Sequence, residues 1–205
     1  MKEQQLRRRE NTREKIIAAA ADVFATKGIL GTTVDDLTAS AGFTRGAFYS
    51  NFSTKEEVFE ASVSRLLERI GHTAVEGSRH VRPDSDPFGA LERLFTSLRG
   101  DMRLLWRIEL EASVMALRNC DLRATYGAIR GALRKLVAEI LTETLARDDH
   151  RLRVDADVAA DSIIALYFNA LTAAELEGRD TLIAATIPSL VAGLVSADEW
   201  GFSHG

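Results

Sequence analysis

The sequence predicts an all-α protein, and three observations predict it. Only three prolines occur in 205 residues, none of them between Pro87 and Pro188. No glycine falls between Gly131 and Gly178, and the breaker-free tracts are filled with Ala, Leu, Arg and Glu, residues that lose little freedom in a helix. No run of about four to eight residues alternates apolar and polar side chains with β-branched content, as a half-buried strand would. The expected architecture is an N-terminal three-helix helix-turn-helix domain. A long helix joins it to a C-terminal helical bundle, with about nine helices in all.

Taken in order, the first helix is expected over 12–27. Asn11 and Glu14 have the spacing of a capping box, and Ile16, Ile17, Ala20, Ala21 and Phe24 share one face. A second helix over 34–40 carries Val34 and Leu37 inward. Residues 39–44, Ala-Ser-Ala-Gly-Phe-Thr, read as a tight turn: Gly42 for a left-handed backbone, Phe43 for the core, Thr44 as the next N-cap. The third helix, 45–51, turns Phe48 and Phe52 inward and leaves Arg45, Gly46, Tyr49 and Ser50 outward. Thr54 and Glu57 form a second capping-box pattern opening a long helix over 55–79. Residues 80–87 hold two of the three prolines and read as a link. Asp86 then caps a helix with Pro87 in its first turn. Helices follow over 87–98, 101–118, 121–146 and 156–177. Gly178 stops the last of these, and Asp180 caps a final helix over 181–197.

Composition narrows the function classes. A 46% hydrophobic, 27% charged chain has the balance of a soluble globular protein. The opening does not read as an export signal, because Glu10, Glu14, Lys15 and Asp22 interrupt it. The longest nearly apolar stretch, Leu182 to Val195, is 14 residues, short of the roughly 20 a membrane span needs. No membrane association and a cytoplasmic location are expected. Cys120 is the single cysteine, which excludes an internal disulfide framework; a junction position suits a small hydrophobe or, alternatively, a reactive thiol. The four histidines are scattered, and no zinc-protease, serine-hydrolase, dinucleotide, Walker or EF-hand motif is present. No enzyme activity, metal or cofactor is expected.

The N-terminal unit carries the functional signal. Five of nine phenylalanines (Phe24, Phe43, Phe48, Phe52, Phe59) fall in its first 60 residues, as a small core demands. Its third helix has an arginine, a glycine allowing close approach and hydroxyl donors on the outward face, the parts of a major-groove recognition helix. Thr33 and Lys55, opening their helices, are placed for flanking phosphates. Net charge is −4 for the whole chain, a value that argues mildly against a polyanionic partner. Residues 1–55, however, hold nine basic residues (Lys2, Arg7, Arg8, Arg9, Arg13, Lys15, Lys27, Arg45, Lys55) and six acidic ones (Glu3, Glu10, Glu14, Asp22, Asp35, Asp36). The head is therefore +3 and the remainder −7.

The series Ala18-Ala-Ala-Ala-Asp-Val-Phe-Ala-Thr-Lys-Gly28, Thr32-Thr33-Val34, Gly42-Phe-Thr-Arg-Gly-Ala-Phe-Tyr-Ser-Asn-Phe52 and Lys55-Glu-Glu-Val-Phe59 resembles the DNA-binding head of the tetracycline-repressor (TetR) family. The likeness covers Thr12 to Ala61. It implies an all-helical homodimer with a DNA-binding domain (1–55) and a regulatory domain (56–205) that senses a small-molecule effector. It further implies a palindromic double-stranded DNA operator, most simply read by a repressor. Thr33, Tyr49 and Lys55 match phosphate contacts, and Thr44, Arg45 and Gly46 match the groove-facing start of the recognition helix. Asn51 stands where the family often has histidine, and still offers a donor. Arg7-Arg8-Arg9 resembles the basic arms some members lay on DNA.

The C-terminal part gives weaker signals. The 156–177 helix is apolar almost all round, and so is 181–197; two such helices need cover that a two-fold partner presenting the same pair supplies. Packing wholly inside one chain is the alternative, and Pro188 is expected to kink the second helix. Over 101–118, Arg103, Arg107, Glu111 and Arg118 make a solvent stripe. Trp106 and Glu109 lie off it. Glu109 either meets a ligand or pairs internally with Arg130 or Arg134. Met102, Trp106, Glu109, Met115, Tyr126, Phe168 and Asn169 are the effector-lining candidates. The rival readings are a helical enzyme built on scattered carboxylates and a protein-interaction bundle.

Overall fold

The computed structural model describes residues 2–79, 87–119, 121–146, 151–179, 189–191 and 193–194. These residues form α1 (Lys2–Lys27), α2 (Val34–Ala41), α3 (Arg45–Tyr49), α4 (Lys55–Arg79), α5 (Pro87–Arg118), α6 (Asp121–Ala146) and α7 (Ala156–Glu177), and residues 189–191 and 193–194 are helical as well. Among the described residues there is no strand. None of the helices is long and apolar enough to cross a membrane. Asp86, Cys120, Asp180, Pro188, the 80–86 link and most of the expected 181–197 helix lie outside the described residues.

The helix boundaries depart furthest from expectation at two places. The first helix starts at Lys2, not at residue 12. Residues 2–10 contain neither glycine nor proline, so nothing stops the helix. Asn11 inside it costs at most about 0.7 kcal/mol, less than interrupting the ladder. The Thr12 hydroxyl settles into the turn below, donating to the Arg8 carbonyl at 2.9 Å. The Arg7-Arg8-Arg9 arm is thus an exposed helical extension. The expected break between 98 and 101 is also absent, because α5 runs unbroken through Gly100. Buried Leu98, Met102 and Leu105 continue one apolar stripe across it, and one exposed glycine costs only about 1 kcal/mol.

The chain divides into two compact units, residues 1–69 with 101–129 and residues 70–100 with 130–205. In the first, Ile16, Ala20, Phe24, Leu37, Phe48, Val58, Leu66, Leu105 and Ile108 are almost wholly buried. Phe24 and Phe59 meet edge to face with centroids 5.2 Å apart, and Phe48 lies 5.6 Å from Phe52. Phe43 is only half-buried. Arg13 closes the base of this core. Its guanidinium lies 4.4 Å over the Phe52 ring and donates to Glu57 at 3.1 Å and to the Asn51 carbonyl at 3.0 Å. Arg69 makes a bidentate pair with Asp101, both contacts at 2.7 Å.

In the second unit, α7 buries Ala159, Ala160, Ile163, Ile164, Tyr167, Phe168, Ala170, Leu171 and Ala173. Arg134 donates to Asp161 at 2.8 Å, and Arg130 lies 5.7 Å over the Phe168 ring. α7 ends at Gly178 as expected, in the left-handed conformation. Along its other face Val158, Ala165, Asn169 and Leu176 are exposed.

Candidate nucleic-acid interface

The interface is built from two turns and the helix starts that follow them. After α1, Gly28 takes φ +80°, a conformation nearly closed to residues with a Cβ. The chain reverses there. The Gly28 amide donates to the Phe24 carbonyl at 2.9 Å, and the Thr32 amide to Gly28 at 3.1 Å. The buried Thr32 hydroxyl reinforces this, donating to the same Gly28 carbonyl at 2.6 Å. Lys55, at the start of α4, spans the turn: its ammonium donates to the carbonyls of Ile29 (3.0 Å), Leu30 (3.3 Å) and Thr32 (3.0 Å). An ammonium has three donors, so the structure gives Lys55 an internal task that the sequence did not disclose.

Thr33 then caps α2 in a full capping box. Its hydroxyl accepts from the Asp36 amide at 3.2 Å and donates to the Asp36 carboxylate at 2.7 Å, while its own amide donates to that carboxylate at 2.9 Å. Hydrogen bonds from Lys27 and then from Thr33 hold the Asp36 carboxyl at about 2, well below its ordinary value. The start of α2 is therefore fixed by charge as well as by geometry, with Thr33 exposed.

The second turn follows the sequence reading closely. Gly42 has φ +74° and its amide turns back to the Ala39 carbonyl, and Thr44 caps α3 by accepting from the Ala47 amide at 3.3 Å. α3 is short, ending at Tyr49, because Ser50 and Asn51 form a turn. Arg45 is exposed, its Nε 3.6 Å from Asp35; so open a pair contributes little and leaves Arg45 available. Tyr49 is also exposed. The Ser50 hydroxyl donates to the Gly46 carbonyl at 2.9 Å, which leaves its oxygen as an acceptor. Asn51 is half-buried and donates to the Ala47 carbonyl at 2.7 Å, so its amide faces its own helix. At α4, the Glu57 amide donates to Thr54 at 3.2 Å. The return bond of the expected capping box goes one residue earlier, to Ser53 at 2.9 Å. That amide bond, with Arg13, holds the Glu57 carboxyl below its ordinary value.

The effector-lining candidates divide between the units. Met102, Trp106, Glu109, Met115 and Tyr126 belong to the first, Phe168 and Asn169 to the second. Met102, Trp106 and Phe168 are buried, and the Trp106 indole N–H has no hydrogen-bond partner among the described residues. Glu109 and Tyr126 meet, the Tyr126 hydroxyl donating to Glu109 at 2.7 Å. Of its two expected ion-pair partners, Arg134 is bonded to Asp161 instead. Met115 is half-buried, and Asn169 is exposed on α7.

Of the residues placed on the solvent stripe, Arg103 is half-buried, and Glu111 departs further. Glu111 of α5 is half-buried and its carboxylate accepts from the Ile29 amide at 2.8 Å. Helical periodicity gave the face on which Glu111 lies, but not the orphan amide opposite it.

Residues 16–62 match the family model described as "Bacterial regulatory proteins, tetR family". The HTH-type transcriptional regulator TtgR of Pseudomonas putida is 33% identical over 95 residues, 46% of this chain and 44% of that protein. The HTH-type transcriptional repressor BepR of Brucella suis is 26% identical over 132 residues, 63% of this chain and 61% of that protein. The chain thus matches less than two thirds of either relative's length. Among solved structures, a TetR-family regulator from Cytophaga hutchinsonii superposes with a TM-score of 0.68 at 24% identity, covering 91% of this chain and 96% of that one. That likeness carries the fold over nearly the whole length. These relatives are named as transcriptional regulators, not as enzymes. With its helix-turn-helix geometry, the segment 16–62 is a head of the kind that defines the tetR family of bacterial regulatory proteins.

Proposed function

We propose that this chain is a sequence-specific DNA-binding transcriptional regulator, a repressor released from a palindromic operator by a small-molecule effector. Residues 1–55 read DNA and residues 56–205 form the regulatory and dimerisation domain. The supporting observation is the capped helix α3, which leaves Arg45 and Tyr49 exposed directly after the Gly42 turn. An arginine at the start of such a helix bonds a guanine in the major groove, while Thr33, Thr44, Tyr49, Ser50, Asn51 and Lys55 supply backbone and edge contacts. The exposed Val158, Ala165, Asn169 and Leu176 face of α7, with the apolar helix that the sequence predicts over 181–197, favours a homodimer. Two recognition helices then meet successive major grooves, roughly 34–36 Å apart in the simplest case. Release requires an effector that binds the DNA-free state more tightly. Such a regulator works in the cytoplasm.

Selection of a randomised duplex library on the full-length protein tests this reading. Enrichment of a two-fold sequence is expected, with affinity falling steeply as salt rises because phosphate contacts release counterions. No enrichment, or salt-independent association, points instead to the enzyme or interaction-bundle reading.

Gly46 supplies a finer check. A Cβ there would meet nothing closer than 3.9 Å and its φ is unremarkable, so the protein itself does not need glycine. Gly46→Ala should leave thermal stability equal or higher, by about 0.5–1 kcal/mol from helix propensity. The enriched duplex should bind on the order of tenfold more weakly, a cost of about 1.4 kcal/mol. Unchanged affinity in a titration would remove Gly46 from the groove.

A further inference from the structure

We propose that Glu111 is a positioning residue for DNA recognition: from α5, its carboxylate locks the 28–33 turn that presents Thr33 and is bridged by Lys55. The proposal rests on the DNA-binding reading above. Gly28 at φ +80° swings the next peptide out of α1, so the Ile29 amide has no helical acceptor. Ile29 is buried, and a buried N–H needs a partner. Glu111 provides it at 2.8 Å, across 82 residues of sequence, with a charged acceptor that makes the bond stronger than a neutral one. The carboxylate is pressed so close to the turn that a Cβ on Gly28 would lie 2.5 and 2.7 Å from its two oxygens. Glycine here therefore serves the close approach of Glu111 as well as the left-handed backbone.

On the carbonyl side, Lys55 takes Ile29, Leu30 and Thr32. The turn is thus held by an acid on its amide side and a base on its carbonyl side, carried by α5 and α4. Neither residue is free to shift far. Leu105, Ile108 and Ala112 bury the same stretch of α5, and Lys55 opens a helix whose Val58 and Phe59 are buried. Thr33, next in the chain, closes the capping box of α2. A residue outside the helix-turn-helix segment thereby fixes the geometry at its entrance.

The test uses the full-length protein, a duplex enriched on it, and amide hydrogen exchange. Glu111→Ala is expected to bind that duplex about tenfold more weakly, the scale of one lost charged hydrogen bond, with sequence preference unchanged and Ile29 exchange accelerated. Glu111→Gln keeps an oxygen for the Ile29 amide and should stay within about twofold of wild type. Gly28→Ala should weaken binding too, and less so in the Glu111→Ala background; backbone strain at residue 28 is common to both and cancels in the cycle. Wild-type affinity in Glu111→Ala, or a Gln variant as weak as the Ala one, overturns the proposal. So does wild-type Ile29 exchanging at the rate of an open turn, a measurement that stands even where Glu111→Ala loses its helical circular dichroism. Failure of the wild type to enrich any duplex sinks the DNA-binding reading itself, and this inference with it.

Discussion

Phe48→Ala should destabilise the N-terminal unit by about 3–5 kcal/mol, the usual cost of emptying a fully buried aromatic site. Phe48 has no exposed surface and is the buried residue of α3. Its ring packs against Phe52 at 5.6 Å and meets Tyr49 edge-on at 5.3 Å. A five-residue helix has almost no stability of its own, because nucleation is unfavourable and so short a segment gains few bonds. Its persistence depends on this one side chain and on the Thr44 cap. Domains are stable by only about 5–15 kcal/mol, so the loss is a large share of the whole. Denaturant unfolding followed by circular dichroism should show the shift. Tyr49→Ala, beside it but exposed, should change stability by no more than about 0.5 kcal/mol. If both substitutions cost the same small amount, Phe48 is not the anchor of the recognition helix.

The contrast between those neighbours was legible in the sequence, because it depends on i, i+4 spacing. The Gly42 turn, the Thr44 cap and the end of α7 at Gly178 were legible for the same reason: each is fixed by a few adjacent residues. What stayed hidden lies between distant segments. Periodicity put Glu111 among charged residues on one helix face, yet its partner is an amide 82 positions away whose need for an acceptor exists only once Gly28 has turned the chain. Lys55 was placed correctly at a helix start, but its bonds to the 29–32 carbonyls depend on how two helix ends converge. The Asn11 pattern misled because a capping motif permits a helix to start without requiring it, and nothing in residues 2–10 prevented extension.

Arg45→Ala and Lys55→Ala should separate base reading from backbone support. Arg45 is exposed and lightly paired with Asp35 at 3.6 Å, so its truncation should leave the fold intact. One bidentate contact to guanine is worth about 1–3 kcal/mol of discrimination. Arg45→Ala should therefore lose on the order of ten- to a hundredfold in affinity for the enriched duplex and broaden preference at one position of each half-site. Lys55→Ala removes a charge and, with it, the donor to three turn carbonyls. It should weaken binding to all sequences alike and lower thermal stability as well. Salt titration then assigns its role in the complex. A lysine that reaches phosphate contributes about one counterion to the slope of log affinity against log salt, whereas one that stays on the 29–32 carbonyls leaves the slope unchanged. Library profiles in which Arg45→Ala matches wild type in both strength and preference would falsify the groove assignment, because no other exposed side chain at the start of α3 can bond a guanine edge in bidentate fashion.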